Sequence, residues 1–156
     1  GSVIPFFYSK RNQDYLPITD KDMTRFMITL DQGVDLVWTA LEDMQGGEIY
    51  VKKIPSMKVI DIAKVINPRA QIKIVGIRPG EKIHEQMIGV EDSPYTYEYL
   101  DYFKILPQIN LWDNDIDRVK LGKKVSESFY YTSNINSEWM TEAELAKWIS
   151  LNKLKW

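Results

Sequence analysis

The sequence predicts a mixed α/β domain of the α+β kind, built from short helices and strands without a complete dinucleotide-binding sheet. Residues 29–47 carry apolar side chains at helical spacing, which predicts a long amphipathic helix. Residues 48–53 and 71–76 alternate polar and apolar side chains, which is typical of short, half-buried strands. No glycine pattern of the G-x-G-x-x-G or P-loop type occurs in the 156 residues, so a regular nucleotide-binding βαβ unit is not expected.

The predicted helix at residues 29–47 has the strongest local signals. Its apolar positions fall on one helical face, and they are Leu30, Val34, Val37, Trp38, Leu41 and Met44. Thr29 followed by Gln32 has the capping-box pattern expected at a helix start. Gly46 and Gly47 predict the end of the helix, because glycine readily adopts the backbone conformation that terminates one.

The next part of the chain is expected to contain a second helix, a tight turn and a third helix. Ser56 is expected to cap the second helix, and Pro68 to end it. The strand that follows leads into the sequence Arg-Pro-Gly-Glu at residues 78–81, which predicts a turn. A third short helix is expected to run from this turn to about Ile88.

The last third of the chain mixes irregular aromatic segments with a final helix. Residues 91–107 are rich in tyrosine and lack helical periodicity, so we expect an extended arm or a hairpin. Residues 125–132 are expected to form a strand. Thr141 and Glu144 form a second capping-box pattern, which predicts the start of a terminal helix.

The composition excludes several classes of function. The net charge is −2 with both signs interspersed, so no basic field for nucleic acid or an anionic membrane surface is expected. The chain has no cysteine and one histidine, His84, so a metal site is not expected either. No run of about 18 apolar residues exists, which favours a soluble cytoplasmic protein.

Two arginines at element boundaries are candidate ligand-binding residues. Arg25 precedes the first long helix, and Arg78 lies at the strand-to-helix turn. A guanidinium group can bind two phosphate oxygens in a bidentate fork, so two such groups from separate loops could bind a diphosphate. The alternative is that each arginine makes a surface ion pair or covers apolar surface with its stem.

Three further features could bind a ligand or could serve the fold alone: Glu81, His84 and the tyrosines between positions 95 and 102. Glu81 follows the turn and could accept both hydroxyl groups of a ribose, or it could simply complement a helix dipole, worth about 0.3–1 kcal/mol. His84 is expected to be a partly exposed helical residue without a catalytic role. The tyrosines between positions 95 and 102 could stack on bases, but packing or an oligomer contact is favoured because no basic stripe accompanies them.

Short stretches distributed along the chain carry a resemblance to a known family. They are residues 1–7 (GSVIPFF), 16–20 (LPITD), 23–26 (MTRF), 46–49 (GGEI), 53–58 (KIPSMK), 76–82 (GIRPGEK), 131–134 (YTSN) and 139–142 (WMTE). In this order and at these spacings they resemble the C-terminal half of the inverting UDP-N-acetylglucosamine 4,6-dehydratases. These belong to the extended short-chain dehydrogenase family and open the pathways to pseudaminic acid and related surface sugars.

The resemblance implies that residues 1–156 are a C-terminal nucleotide-sugar-binding domain. An N-terminal Rossmann half would precede it and would hold NADP or NAD together with the catalytic residues. No catalytic, cofactor-binding or metal-binding residue is therefore expected in this chain, which should be inactive alone. Gly1 and Ser2 would be native residues. The implied partners are UDP-N-acetylglucosamine, the Rossmann half and further copies in a homo-oligomer.

The resemblance also implies roles for individual residues. Arg25 and Arg78 would bind the pyrophosphate of the UDP-sugar, and Glu81 would bind the uridine ribose. Ile4 and Pro5 would lie beside the uracil. The implied reaction oxidises C4 of the sugar, eliminates water across C5 and C6, and returns the hydride at C6 with inversion at C5. Residues 8–15 depart from the family, because they look shorter and more polar than the helix expected there.

Two other functions remain open from the sequence. A UDP-sugar 4- or 5-epimerase of the same family would use a similar substrate-binding part around different chemistry. A stand-alone module that binds a nucleotide sugar without catalysing a reaction is the second alternative. The residues upstream of Gly1 would separate these possibilities, since a Tyr-x-x-x-Lys pair and a glycine-rich strand would favour an enzyme.

Overall fold

A computed structural model describes residues 3–109 and 118–151 of the chain. The described residues confirm the predicted mixture of helices and short strands without a closed sheet. The chain divides into two compact units. The first unit comprises Gly1–Met27, Pro55–Glu85 and Ser133–Trp156, and the second comprises Ile28–Ile54 and Gln86–Thr132. In the described ranges, no helix is long and apolar enough to cross a membrane. Gly1 and Ser2, expected to be native, lie outside the described residues.

Four α-helices, a 3-10 helix and ten short strands follow one another along the described residues. They are α1 (Val3–Ser9), β1 (Tyr15–Ile18), β2 (Thr24–Phe26), α2 (Leu30–Asp43), β3 (Ile49–Lys52), β4 (Ser56–Lys58), α3 (Val59–Ile66), β5 (Gln71–Ile74), β6 (Gln86–Ile88), a 3-10 helix (Val90–Tyr95), β7 (Thr96–Glu98), β8 (Tyr102–Ile105), β9 (Lys123–Lys124), β10 (Tyr131–Thr132) and α4 (Glu142–Leu151).

In its described residues, the first unit contains two small strand pairs and three helices. Strand β1 pairs in parallel with β5, and β2 pairs antiparallel with β4. Helix α3 buries Val59, Ile62 and Ala63 in the core of this unit. Helix α4 adds Leu145 and Ile149 to the same core. The predicted capping box at its start is confirmed by reciprocal hydrogen bonds between Thr141 and Glu144.

Ser56 does not cap the second helix, so that prediction was wrong. It is fully buried as the first residue of β4, and its backbone N–H donates to the carbonyl oxygen of Glu138 at 2.9 Å. Its hydroxyl accepts a hydrogen bond from the Asn136 side chain at 3.1 Å. Helix α3 begins after Lys58, which makes no side-chain cap bond. Sheet pairing with distant residues therefore took the place of the local capping interaction.

The predicted third helix from residue 81 to about Ile88 was also wrong. Residues 82–85 have irregular backbone, and β6 pairs antiparallel with β10. The carbonyl oxygen of Ile83 accepts the Thr24 N–H at 3.0 Å, and that of Glu85 accepts the Ser133 N–H at 2.8 Å. Because these backbone groups form hydrogen bonds with distant segments, they are not available for the backbone hydrogen bonds of a helix.

The second unit contains the aromatic part of the chain. Its sheet has the strand order β3-β8-β7-β9, and all its neighbouring strands are antiparallel. The hairpin expected within residues 91–107 is confirmed as the pair of β7 and β8, preceded by the 3-10 helix. The strand expected at residues 125–132 is limited to β10.

Helix α2 has the start that the sequence predicts, but its apolar side chains are not buried. Thr29 Oγ1 accepts the Gln32 N–H at 3.1 Å, and Gln32 Oε1 accepts the Thr29 N–H at 2.9 Å, which confirms the capping box. No residue of α2 is buried. Within the second unit its apolar stripe is exposed, from 45% at Val34 to 62% at Trp38 and 76% at Leu30.

Candidate functional site

The first unit contains a cavity of about 470 Å³, a size that suits a nucleotide-sized ligand. Three of the sequence-predicted charged residues line it, namely Arg25, Arg78 and Glu81. Much of the remaining wall is apolar and includes Pro5 and Phe6 of α1. A mostly apolar wall with a few charged groups is the usual composition of a small-molecule site.

The turn that carries Arg78 and Glu81 has the geometry of a type II β-turn. The Glu81 N–H donates to the carbonyl oxygen of Arg78 at 3.0 Å. Pro79 suits the second position, since its φ is fixed, and Gly80 takes a φ of +80° at the third. A side chain at position 80 would be strained in this conformation, although nothing lies within 4 Å of a Cβ built there.

The Glu81 carboxylate is held in place by two hydrogen bonds. Its Oε1 accepts the Thr19 hydroxyl at 3.0 Å, and its Oε2 accepts the Arg78 N–H at 3.3 Å. An ionised carboxylate has about four acceptor positions, so two remain for a ligand. The alternative of a helix-dipole role does not hold, because no helix begins at this residue.

Arg78 is the most available cation of the site. Arg78 is exposed, and its guanidinium makes no hydrogen bond or ion pair with the part of the chain that the structure describes. The side chain lies at the cavity next to the fixed Glu81 carboxylate. It can therefore bind an anion without first breaking an interaction within the protein.

The Arg25 guanidinium is instead engaged with the protein. Its Nη1 donates to the carbonyl oxygens of Thr24 at 2.7 Å and Ile83 at 3.0 Å, and its Nη2 donates to that of Lys82 at 3.0 Å. Its Nε lies 3.3 Å from Glu85 Oε1. Bidentate binding of a phosphate by Arg25 would require some of these hydrogen bonds to break and new ones to the phosphate oxygens to form. The ion pair considered from the sequence is thus present, although the residue also lines the cavity.

The two residues expected beside a uracil are separated by the geometry of α1. Pro5 lines the cavity, whereas Ile4 is only 5% exposed and belongs to the core of the first unit. Consecutive residues of a helix point in different directions, so only one of the two faces the cavity. Phe6 also lines it and is 43% exposed.

Sequence reasoning missed Thr19 and Phe6 as site residues. Both lie inside stretches that carried the family resemblance, residues 16–20 and 1–7. Thr19 is also two residues beyond Pro17, which lines the same cavity. Their position in these stretches could have indicated that they lie near the site. Neither side chain is charged, so neither was a candidate ligand-binding residue by its chemistry.

His84 is part of a buried hydroxyl network and does not line the cavity. Its Nδ1 lies 2.8 Å from Thr24 Oγ1, which lies 2.6 Å from Ser133 Oγ. Ser133 Oγ also accepts the Glu85 N–H at 2.9 Å. The network connects β2 to residues 84–85 and to the segment before α4. Its contacts are those of a residue that stabilises the fold near the site.

Three tyrosines of the second unit cluster near a buried lysine. The Tyr99 and Tyr102 rings stack at 4.7 Å, which confirms the packing interpretation for this pair. The Lys104 ammonium is 1% exposed, and it lies 5.2 Å from the centre of the Tyr99 ring and 5.5 Å from that of the Tyr50 ring. It also forms an ion pair with Asp43.

Burial and the contacts within this cluster shift the pKa values of Asp43 and Tyr50, among others. Burial acts to raise the pKa of Asp43, but hydrogen bonds from Lys104 and Tyr50 and the charge of Lys104 outweigh it, so that the pKa lies below its ordinary value of 3.8. Burial, and then the hydrogen bond to Asp43, raise the pKa of Tyr50 well above its ordinary value. The cluster is therefore an electrostatic network of the second unit with a buried lysine at its centre.

No group of three or more acidic, histidine or cysteine side chains that could hold a metal ion occurs within residues 3–109 and 118–151. The polar groups at the cavity comprise two guanidinium groups, a carboxylate and a threonine hydroxyl. This set of groups suits an anionic ligand that also carries hydroxyl groups.

Comparison with protein families and curated proteins gives consistent matches. A family described as Polysaccharide biosynthesis protein matches residues 1–107. The chain is 45% identical over 152 residues to a protein of Campylobacter jejuni subsp. jejuni serotype O:23/36 (strain 81-176) named UDP-N-acetylglucosamine 4,6-dehydratase (inverting). This match covers 93% of the chain and 46% of that protein.

Two further matches are more distant. A protein of Rickettsia rickettsii (strain Sheila Smith) named UDP-glucose 4-epimerase is 36% identical over 110 residues, covering 67% of the chain and 32% of that protein. A solved structure described as the X-ray structure of Pen from Bacillus thuringiensis superimposes with a TM-score of 0.76 at 29% identity, covering 99% of the chain and 45% of that structure. The chain spans half or less of the length of the curated relatives that it matches.

Proposed function

The chain belongs to the Polysaccharide biosynthesis protein family, and on this premise we propose that it is the UDP-sugar-binding part of a UDP-N-acetylglucosamine 4,6-dehydratase. In this proposal residues 1–156 form the C-terminal nucleotide-sugar-binding domain of a longer enzyme that makes a precursor of bacterial surface polysaccharide or of a flagellin glycan. The dehydratase relative matches over a longer stretch and at higher identity than the epimerase relative, which favours dehydration over epimerisation.

The observation that carries the proposal is the convergence of Arg25, Arg78 and Glu81 on one cavity. These residues come from positions far apart in the sequence, on β2 and on the turn after β5. A uridine diphosphate carries two phosphates, a ribose diol and a flat base, and it needs cations, an acceptor and an apolar wall. The cavity offers all three kinds of group.

We assign the phosphates to Arg78, with the positive charge of Arg25 as a supporting attraction. The Arg78 guanidinium is exposed and is not engaged with the described residues, so it can donate two parallel hydrogen bonds to diphosphate oxygens. Arg25 lies at the same cavity and retains one Nη2 proton beyond its four protein contacts. Its positive charge also adds to the attraction for the diphosphate.

We assign the ribose to Glu81 and the base to α1. The carboxylate keeps acceptor positions for two hydroxyl groups after its bonds to Thr19 and Arg78. Pro5 would lie beside the uracil, and the core position of Ile4 would fix the helix on which Pro5 sits.

The cofactor of the proposed enzyme would be bound elsewhere in the longer protein. The sequence contains neither G-x-G-x-x-G nor a tyrosine with a lysine four residues later, so its residues do not fit NADP or NAD. An N-terminal Rossmann half would supply that site, and the bound cofactor would provide reversible hydride transfer for the reaction. This chain contributes binding and orientation of the UDP-sugar, and it is expected to be inactive alone.

The experiment that tests the proposal follows the fate of UDP-N-acetylglucosamine in the full-length protein that contains this chain. NMR of the products is expected to show a 4-keto-6-deoxy sugar with inverted C5. UDP-N-acetylgalactosamine as the product would favour the epimerase, and UDP binding without turnover would favour a stand-alone module. Formation of the keto product by residues 1–156 alone would contradict the expected inactivity of the isolated chain.

The proposed protein partners are the Rossmann half and further copies in a homo-oligomer. The apolar stripe of α2 supports this, because side chains such as Trp38 and Leu41 are more than half exposed in the second unit. Nucleic acid is not proposed as a partner, since the charge of −2 gives no basic field.

A further inference from the structure

Arg25 contacts the segment that follows the ligand-binding turn at three separate points. Its Nη1 and Nη2 donate to the carbonyl oxygens of Ile83 and Lys82, both at 3.0 Å. Its Nε lies 3.3 Å from the Glu85 carboxylate. The side chain is only 18% exposed, so these charge-assisted contacts are partly shielded from water.

We propose that Arg25 is a positioning residue whose main contribution to ligand binding is to fix the segment that carries both Arg78 and Glu81. This inference rests on the proposed function, because it assigns the diphosphate to Arg78 and the ribose to Glu81. It differs from a direct phosphate contact in that loss of Arg25 would weaken recognition of both parts of the ligand.

The segment from Val75 to Glu85 is anchored at each end by neighbouring strands of the first unit. At its start the Val75 N–H donates to the carbonyl oxygen of Ile18 at 2.9 Å. At its end the segment is held by Arg25, by the Thr24 N–H bond to Ile83 and by two hydrogen bonds between Glu85 and Ser133. The turn lies between these two anchors, and Glu81 also accepts the Thr19 hydroxyl. Loss of the Arg25 contacts therefore loosens the turn without releasing the segment.

The guanidinium group is required for this role because it contacts three acceptors of this segment at once. A lysine ammonium on a flexible stem lacks the planar fork that bonds Lys82 and Ile83 together with Glu85. Arg25→Lys therefore keeps the positive charge near the cavity but loses the simultaneous contacts. A purely electrostatic contribution of Arg25 would survive that substitution, whereas positioning would not.

The test compares the affinities for UDP and for uridine in the residue 1–156 chain by NMR titration. Arg78→Ala is expected to lower the affinity for UDP by roughly tenfold or more and to leave that for uridine within about twofold. Arg25→Lys is expected to lower both affinities by similar factors, so that the ratio of the two affinities is kept. Arg25→Gln also removes the positive charge and should lower the UDP affinity further than the uridine affinity. Arg69→Lys, an exposed arginine outside the cavity, is the matched control and should change neither affinity.

Two results would overturn the inference. One is a loss of UDP affinity with unchanged uridine affinity in the Arg25 variants, which would make Arg25 a direct phosphate ligand. The other is unchanged affinity for both ligands in folded Arg25 variants. If these variants do not fold, Glu85→Gln removes the negative charge that Arg25 Nε contacts and should lower both affinities together by a smaller factor. A change in UDP affinity alone would again contradict positioning.

A ligand-free measurement separates this inference from the proposed function. The Glu81 N–H bonds to the carbonyl oxygen of Arg78 inside the turn, and its hydrogen exchange reports how well the turn is held. Exchange is expected to be several-fold faster in Arg25→Gln than in the unaltered chain. Unchanged exchange would overturn positioning, whereas failure of the unaltered chain to bind UDP would overturn only the proposed function.

Discussion

The Glu81 N–H donates to the carbonyl oxygen of Arg78 at 3.0 Å, and the Arg78 N–H donates to a Glu81 carboxylate oxygen at 3.3 Å. The first contact closes the turn and the second holds the Glu81 carboxylate, so two residues of opposite charge lie within one turn. The Arg78 guanidinium makes no ion pair with a carboxylate of the described ranges, so the two charges do not neutralise each other directly. The turn can therefore present a cation and an acceptor to the same ligand.

Replacing Arg78 by alanine is expected to weaken UDP binding to the full-length protein by about 1.5–3 kcal/mol, the usual contribution of hydrogen bonds to charged groups. Isothermal titration calorimetry measures this change. Arg69→Ala provides the control, because Arg69 is exposed and does not line the cavity. Equal UDP affinities of the Arg78 variant and the unaltered protein would count against the assignment.

Replacing Gly80 by alanine is expected to destabilise the turn by about 1–2 kcal/mol, because its φ of +80° lies in the left-handed region. No atom lies within 4 Å of the added Cβ, so the cost comes from the backbone and not from a clash. Urea unfolding and UDP titration should both show the loss.

Gly33 is the matched control for Gly80. It lies inside α2 with open space around it, so Gly33→Ala is expected to stabilise the chain by about 0.5–1 kcal/mol. If Gly80→Ala behaved like Gly33→Ala in urea unfolding, the proposed turn geometry would be wrong.

Acid is expected to destabilise the second unit through Asp43. Its pKa in the folded protein lies below 3.8, so the stability that Asp43 contributes is present above that value and is lost as the pH falls through the folded pKa. Thermal unfolding midpoints should therefore fall more steeply below about pH 4 in the unaltered chain than in Asp43→Asn.

Asp35 serves as the control for this pH dependence, because it is an exposed carboxylate on the same helix. Asp35→Asn should follow the pH profile of the unaltered chain. At pH 7, Asp43→Asn should be less stable than the unaltered chain, since it leaves the buried Lys104 ammonium without its carboxylate. Identical acid profiles for Asp43→Asn and the unaltered chain would contradict the role of this ion pair.

Self-association of the isolated chain is expected to depend on the apolar stripe of α2. Replacing Val37 and Trp38 by lysine should lower the weight-average mass in sedimentation equilibrium, because both side chains are more than half exposed. Leu100→Lys is the control, because Leu100 is 89% exposed but lies outside the stripe. An unchanged mass in the α2 variant would show that the stripe does not mediate association.

The parts of the fold that depend on local signals were predicted from the sequence. Both capping boxes formed as expected, at Thr29 and at Thr141. The strands β3 and β5 and the hairpin of β7 and β8 also agree with their alternating or aromatic patterns. In each case neighbouring residues decide the outcome, through hydrogen bonds across a few positions or through side-chain periodicity.

The errors occurred where distant segments decide the local structure. Ser56 could have capped a helix, but it pairs with the segment near Glu138 instead. Residues 86–88 could have continued a helix, but they pair with β10. The sequence near these positions does not contain the pairing partners, and tertiary pairing overrides a weak local preference.

The candidate site was partly predictable for a similar reason. Arg25, Arg78 and Glu81 stood out by charge and by motif, and they do line one cavity. The contacts of Arg25 with Lys82 and Ile83 could not be predicted, because they depend on how β2 packs against a later segment. The burial of Ile4 likewise depends on which face of α1 meets the core.

The most direct test of the account is an NMR titration of the isotopically labelled chain with UDP. The account predicts saturable shifts of the signals of Arg78, Glu81 and Thr19, with smaller changes on α1 and none on α4. Absence of saturable shifts at the turn, or saturable shifts confined to α4, would contradict the claim that this cavity binds the nucleotide.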